Sequence, residues 1–294
     1  MEFADSAMGE ITQDEKGIPK RRRGQGKGEQ WGAIGRPPRR RRVVAEESSA
    51  IQRIFEVSRA IFRGPGTVPM PEDVQLLQLL LDKMKPEDVG LSTDLLFFKN
   101  SRAGKGTPII TYTNIYTCDS FSMCIFFLPP TAVIPLHNHP GMTVFSKLLL
   151  GSIHIKSYDW VNNNISEEEE QRHARIARVV EDSDFCAPCT ASVLYPTTGG
   201  NIHSFRANSP CALLDILGPP YSKVADRDCT YYRERSTVDG SRSAVGSVAW
   251  LEEMDIPKEL KVDGIEYMGP RIVDDGHLIG VVKPGFPPEE DSKT

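Results

Sequence analysis

The chain has 294 residues, a formal net charge of −5, 39% hydrophobic residues and 26% charged residues. This balance is ordinary for a globular protein that buries its core without disulfides, and it gives no global attraction to nucleic acid. With no run of eighteen apolar residues and no apolar N-terminal segment, neither a membrane span nor a secretory leader is expected.

Residues 1–45 are poor in aliphatic side chains and rich in glycine and charge, so a disordered arm is expected. Ten basic residues lie between Lys20 and Arg42 against a single acid, Glu29. They form two blocks, 20–23 and 39–42, around a Gly-rich spacer. The pattern reads as a bipartite nuclear import signal, which would place the protein in nucleus and cytoplasm. A solvated, weakly nucleic-acid-binding tail is the alternative. With Phe3 and Trp31 as its only aromatic residues, the arm does not read as a dedicated RNA-binding module.

Residues 46–106 read as a small helical unit packed outside the strand-rich region downstream of it. Ile51, Ile54, Phe55, Val57 and Ile61 predict a helix over about 46–62, capped by Ser48 or Ser49 and stopped by Gly64-Pro65-Gly66. Pro71, Glu72 and Asp73 open a second helix over 71–83, which Pro86 ends. From 107 to 285 the pattern turns to short strands, at 121–128, 131–139, 144–150, 152–160, 185–195, 203–206 and 211–217. Such strands, each bounded by Gly, Pro, Asn or Asp, predict an antiparallel barrel or jelly roll. Residues 162–178, with four consecutive glutamates, read as a solvated excursion, and 286–294 as a disordered tail.

Six cysteines stand at 118, 124, 186, 189, 211 and 229. Without a leader they are expected to remain reduced. Cys186-Ala-Pro-Cys189 lacks the second ligand pair of a structural zinc site.

The chemistry concentrates at Pro135-Leu136-His137-Asn138-His139-Pro140-Gly141. Strand residues two apart share a face, so His137 and His139 can offer neighbouring imidazoles to one metal ion. His203 follows a Pro- and Gly-rich turn and is the candidate third ligand, brought in from another strand. His154 could face the barrel interior, but neither it nor His173 or His277 is expected to ligate.

These motifs resemble those of the cupin superfamily, a double-stranded β-helix (jelly-roll) fold, with Gly151 as the closing glycine of the first motif. The family's glutamate ligand is missing: Thr143 and Val144 occupy that region. Asn208 in the second motif stands one place late. Three neutral ligands would leave the ion's full charge to attract an anionic thiolate, and open positions for O2.

More specifically, the chain resembles the plant cysteine oxidases, relatives of animal cysteamine dioxygenase. The resemblance rests on His137-Asn-His139-Pro-Gly-Met-Thr-Val-Phe-Ser-Lys147, Asp159-Trp160, Gly200-Asn-Ile-His203, Asp215-Ile-Leu-Gly-Pro-Pro-Tyr221, Trp250-Leu-Glu-Glu253 and Tyr267-Met-Gly-Pro270. It implies one Fe(2+) per chain and addition of both atoms of O2 to the sulfur of a protein's N-terminal cysteine. It also implies group VII ethylene-response transcription factors as targets, and a role in oxygen sensing through the N-degron pathway. By the same resemblance Asp215 would lie near the iron, engaging the substrate amine or a water, with Tyr221 and Cys229 beside it. A small-thiol dioxygenase is the alternative, with Arg206 available for the carboxylate of free cysteine. A non-enzymatic metal-binding cupin is another. Nothing in the sequence demands more than a monomer.

Overall fold

The computed structural model describes residues 48–99, 106–161, 173–235, 245–274 and the backbone of 277–278. The basic arm, the C-terminal tail and the centre of the acidic excursion lie outside these residues.

Helix α1 (Ala50–Ile61) begins where Ser49 Oγ accepts the Gln52 N–H at 3.3 Å, satisfying one of the donors a helix start leaves open. It buries Ile51, Ile54, Phe55 and Ile61, a stripe at helical spacing. Helix α2 (Pro71–Asp82) opens on its proline and buries Val74, Leu77 and Leu81. Both stripes enter one apolar cluster with Phe121, Met123, Phe145, Leu214 and Ile216. Each fully buried side chain of this kind contributes roughly 1.5–3 kcal/mol, so apolar contact is the main force holding the helices on the barrel. A buried lysine adds to it: Lys147 Nζ donates to the Cys189 carbonyl and lies 3.8 Å from Asp82 of α2.

The strands of the two large sheets are β1 (Ile110–Thr117), β2 (Ser122–Leu128), β3 (Val133–Asn138), β4 (Thr143–Leu150), β5 (Ser152–Trp160), β6 (Arg175–Cys186), β7 (Ser192–Leu194), β8 (Ile202–Ala207), β9 (Cys211–Gly218), β10 (Tyr231–Glu234), β11 (Val248–Met254) and β12 (Val262–Ile265). One sheet has the order β12-β1-β2-β9-β4-β7. The other, β10-β11-β6-β5-β8-β3, closes on itself as a six-stranded barrel, because β10 pairs with both β11 and β3. From β2 to β9 the chain passes repeatedly from one sheet to the other, as in a double-stranded β-helix. The mainly-β cupin-type architecture read from the sequence is therefore present.

Period-2 alternation sorts the side chains. Tyr158, Val179, Ile202 and Leu251 join Leu136 in the lumen of the closed barrel. The opposite face of β5 and β8 turns Ile153, Phe205 and Ala207 toward Leu128, Leu148 and Leu213 of the first sheet. The space between the sheets is where the site lies.

Three expectations are corrected. The strand expected over 185–195 is two strands, β6 and β7, separated by a turn containing Pro188 after a cis peptide bond. Proline has no N–H to give to a sheet ladder, so the apolar run cannot continue as one strand. The excursion expected over 162–178 gives way to β6 from Arg175, and 162–172 lie outside the described residues. His154 does not face the interior between the sheets. Its neighbours Ile153 and Ile155 take that face, and its ring, on the opposite face of β5, bonds Asp184 at 2.8 Å and Asp182 at 3.0 Å.

Candidate metal centre

Strand register assembles the site. His137 lies opposite His203 on β8 and opposite Tyr231 on β10. His203 lies opposite Ser157 on β5, and Ser157 opposite Glu181 on β6. One cross-strand row thus reads Tyr231, His137, His203, Ser157, Glu181. On the other sheet the register aligns Asn114, Cys124, Asp215, Ser146 and Ser192. His203, Ser157, Glu181, Ser146 and Ser192 line one cavity of about 170 Å³, so members of both rows meet across it.

The pairing of β3 with β8 is irregular between Ile134 and His137. Pro135 sits in that irregularity, where a missing N–H costs nothing, and its carbonyl lies 2.8 Å from His137 Nδ1. His139 follows just beyond β3. Asn201 holds it there: its Nδ2 donates to the His139 carbonyl at 2.9 Å, and its Oδ1 accepts the His139 N–H at 3.2 Å. The turn carrying Asn201 wraps around Asp159, whose carboxylate accepts the N–H groups of Gly199, Gly200 and Asn201 at 2.9–3.0 Å. Gly200 has φ +82°, and a Cβ there would meet Ser157 Oγ at 2.5 Å, so only glycine fits.

The three imidazoles form a nearly equilateral triangle, with ring centroids 4.8–4.9 Å apart. Their candidate ligand atoms all lie within 4.8 Å of one another, and among the described residues this is the one such cluster of three. The Nε2 atoms of His139 and His203 are 3.1 Å apart. Two nitrogens bound at about 2.1 Å to one ion, at right angles, would stand about 3 Å apart.

Tautomers and charge fit a cation as well. Tyr221 Oη donates its single hydrogen to the Asn138 carbonyl at 2.8 Å and lies 2.8 Å from His139 Nδ1. The tyrosine oxygen must therefore accept an Nδ1–H, which leaves the lone pair on Nε2. The Pro135 carbonyl sets the same tautomer in His137. Burial lowers the pKa of all three: His137 to about 4, and His139 and His203 well below their ordinary value, the latter two further opposed by their imidazole neighbours. Three neutral rings with converging lone pairs are the donor set of a three-histidine metal site.

Of the other residues singled out in the sequence, Asp215 is buried on β9, and burial pushes its carboxyl up to about 7 despite a hydrogen bond with Ser146. Among the described residues its Oδ1 has no hydrogen-bond partner. Cys229 sits against the hydroxyls of Tyr221 and Tyr231, its thiol pushed up to about 11 chiefly by burial. Asp215 and Cys229 each act electrostatically on Tyr221, whose own pKa burial raises well above the ordinary phenol value. The structure does not bring Arg206 into the cavity: it is exposed, on the face of β8 opposite His203 and Phe205. His173 is exposed, and the side chain of His277 lies outside the described residues. The clamps Asn201 and Asp159, and the Ser146 and Glu181 positions, were not assigned roles from sequence. The strand register exposes the serine and the glutamate, and the hydrogen bonds of the turn expose Asn201 and Asp159.

The chain is similar to Arabidopsis thaliana plant cysteine oxidase 2, with 46% identity over 76% of this chain and 83% of that protein. It is 44% identical to plant cysteine oxidase 1 of the same organism, over 78% of this chain and 83% of that one. It is 30% identical to 2-aminoethanethiol dioxygenase of Mus musculus, over 77% of this chain and 97% of that one. The family model PCO_ADO matches residues 80–272, a span that includes the twelve strands of the two large sheets and every ligand described above. On this footing the chain belongs to the PCO_ADO family.

Proposed function

We propose that this protein is an iron(II)-dependent thiol dioxygenase that oxidises the N-terminal cysteine of target proteins to the sulfinic acid. The observation that carries the reading is the triangle of three neutral imidazoles beside a cavity, with no carboxylate among them. His137, His139 and His203 would hold the ion through Nε2. When bound, ferrous iron supplies the redox chemistry, the activation of O2 for addition of both atoms to a thiolate. The donor set alone would accept zinc equally well. The iron assignment rests on the family, whose similar members are named as oxidases and dioxygenases of thiols.

The chain's own residues supply position, charge and proton handling. Three uncharged ligands leave the site positive and receptive to a thiolate. Asp215, with one unpartnered oxygen and a pKa near neutrality, is suited to accept the proton the thiol gives up. Tyr221 fixes the ring of His139, and Cys229 and Tyr231 pack around the Tyr221 hydroxyl. The apolar layer of Leu128, Leu148 and Leu213 behind the cavity keeps bulk water from that side. Sulfinic acid formation is irreversible under most conditions, which suits a committed signal. Group VII ethylene-response factors as targets, N-degron degradation as the outcome, hypoxia as the stimulus, and residence in nucleus and cytoplasm complete the reading. The ligand set comes from a single chain, consistent with a monomer.

A second reading, oxidation of a small aminothiol, has support in the outward placement of Arg206. A substrate with a free carboxylate finds no arginine at that position, whereas an aminothiol without one needs none. The deciding experiment loads the full chain with iron(II) without oxygen, then adds O2 with a Cys-initiated peptide, aminoethanethiol or free cysteine. A gain of two oxygen atoms on the peptide, with O2 uptake, supports the first reading. Gain on aminoethanethiol alone supports the second. Tight zinc or nickel with no O2 uptake would leave a non-enzymatic cupin.

A further inference from the structure

The cavity beside His203 carries a carboxylate for which ligand binding and proton transfer have no use. In the β5–β6 ladder Ser157 lies opposite Glu181 but Tyr158 lies opposite Val179, so Val180 is an extra residue. Bulges re-aim side chains, and here Val180 and its neighbour Glu181 both line the cavity. Glu181 Oε1 accepts from Ser183 Oγ at 2.6 Å and from the Asp182 N–H at 3.2 Å, which fixes the group. Oε2 has no hydrogen-bond partner among the described residues. No lysine or arginine is among the described residues that line the cavity.

Glu181 is half-buried, and a fixed anion in a pocket without a cation favours a ligand that brings the cation. We propose that Glu181 binds the free ammonium group of the substrate, so that the site reads a cysteine by its unblocked N-terminus. This rests on the thiol substrate proposed above. Two strand spacings, about 10 Å, separate the backbones of Glu181 and His203. An imidazole, a two-carbon aminothiol unit and a glutamate side chain together span that gap. The thiolate then sits at the imidazole end of the row and the ammonium at the Glu181 end. An internal cysteine has no ammonium to offer. Free cysteine offers one, but brings a carboxylate into a cavity already lined by an anion.

The test is binding, read by calorimetry without oxygen on the iron-loaded full chain, using a Cys-initiated peptide and its N-acetylated form. The wild type is expected to bind the free amine at least tenfold more tightly than the acetylated form. Glu181→Gln keeps the side chain's shape and acceptor oxygen. It is expected to lose most of that preference while binding the acetylated peptide as before, which also reports that it is folded. In turnover the same variant should raise KM for the peptide about tenfold with kcat nearly unchanged. Glu181→Lys should reverse the preference and improve free cysteine relative to the peptide. Undiminished preference for the free amine in Glu181→Gln would overturn the proposal. Wild-type protein that shows the preference yet adds no oxygen to sulfur would overturn the dioxygenase reading and leave this one standing.

Discussion

The two rows that face each other between the sheets are built to different standards. On the β3–β8 side, His137 Nδ1 is matched to the Pro135 carbonyl and His139 Nδ1 to Tyr221, and the His139 backbone is clamped by Asn201. On the β9–β4 side, Asp215 is equally buried but keeps one oxygen without a partner among the described residues. Buried polar atoms are almost always paired, and an unpaired carboxylate oxygen on the row facing the imidazoles is free to take up a proton. The lesson is a division of labour: the imidazole end of one row is finished and holds, while Asp215 opposite it and Glu181 at the far end keep oxygens open to react and to bind.

The comparison can be broken most decisively at His203. His203→Ala should abolish both iron retention and O2 uptake, measured by elemental analysis and an oxygen electrode. A variant that kept both would remove the third ligand from the site. Asp215→Asn should do the reverse, keeping the metal while turnover falls by about a hundredfold or more, the range for loss of a positioned acid or base. Loss of metal from Asp215→Asn would place that residue with the holding row. Tyr221→Phe removes the group that accepts from His139 Nδ1, and should weaken metal affinity about 10- to 100-fold without unfolding the chain. Metal titration of the purified variant measures this, and unchanged affinity would show that the ring needs no such support.

The smallest effect is thermodynamic and sharpens the contrast without a metal. The folded chain holds the Asp215 proton to about pH 7, whereas the ordinary value is 3.8. The unfolded chain therefore releases it first, and stability falls as pH rises from about 4 to 7. Metal-free Asp215→Asn lacks this loss, so it should gain in Tm on the wild type as pH rises through that window. Below pH 4 the difference should stop changing. A constant difference from pH 4 to 8 would mean that Asp215 ionises in the fold as readily as in water.

The ligands were legible in the sequence because their signal is local. The His137 and His139 spacing of two is the strand period itself, and the Pro- and Gly-rich turn before His203 announces a reversal that needs those residue types. The helices were legible for the same reason, through stripes and stop signals. What was not legible depends on register. That Ser146 lies beside Asp215, or Glu181 beside Ser157, depends on pairings between strands far apart in the chain. The expected strand over 185–195 failed because the apolar run outweighed Pro188. Arg206 was considered for the pocket because it is three residues from His203, yet an odd separation on a strand puts it on the other face.

The cross-strand rows tie the centre to the architecture more tightly than a cluster of loop residues would. A slip of one residue in β8 would turn the imidazole of His203 into the closed barrel and bring Ile202 out in its place, so the misaligned strand would lose its apolar packing together with its ligand. An insertion that shifts the register of β8 is thus excluded by folding before catalysis is ever at stake. Point replacements at the same rungs instead leave a sound but inert shell, and that is the route by which this scaffold can give up its chemistry and keep its shape.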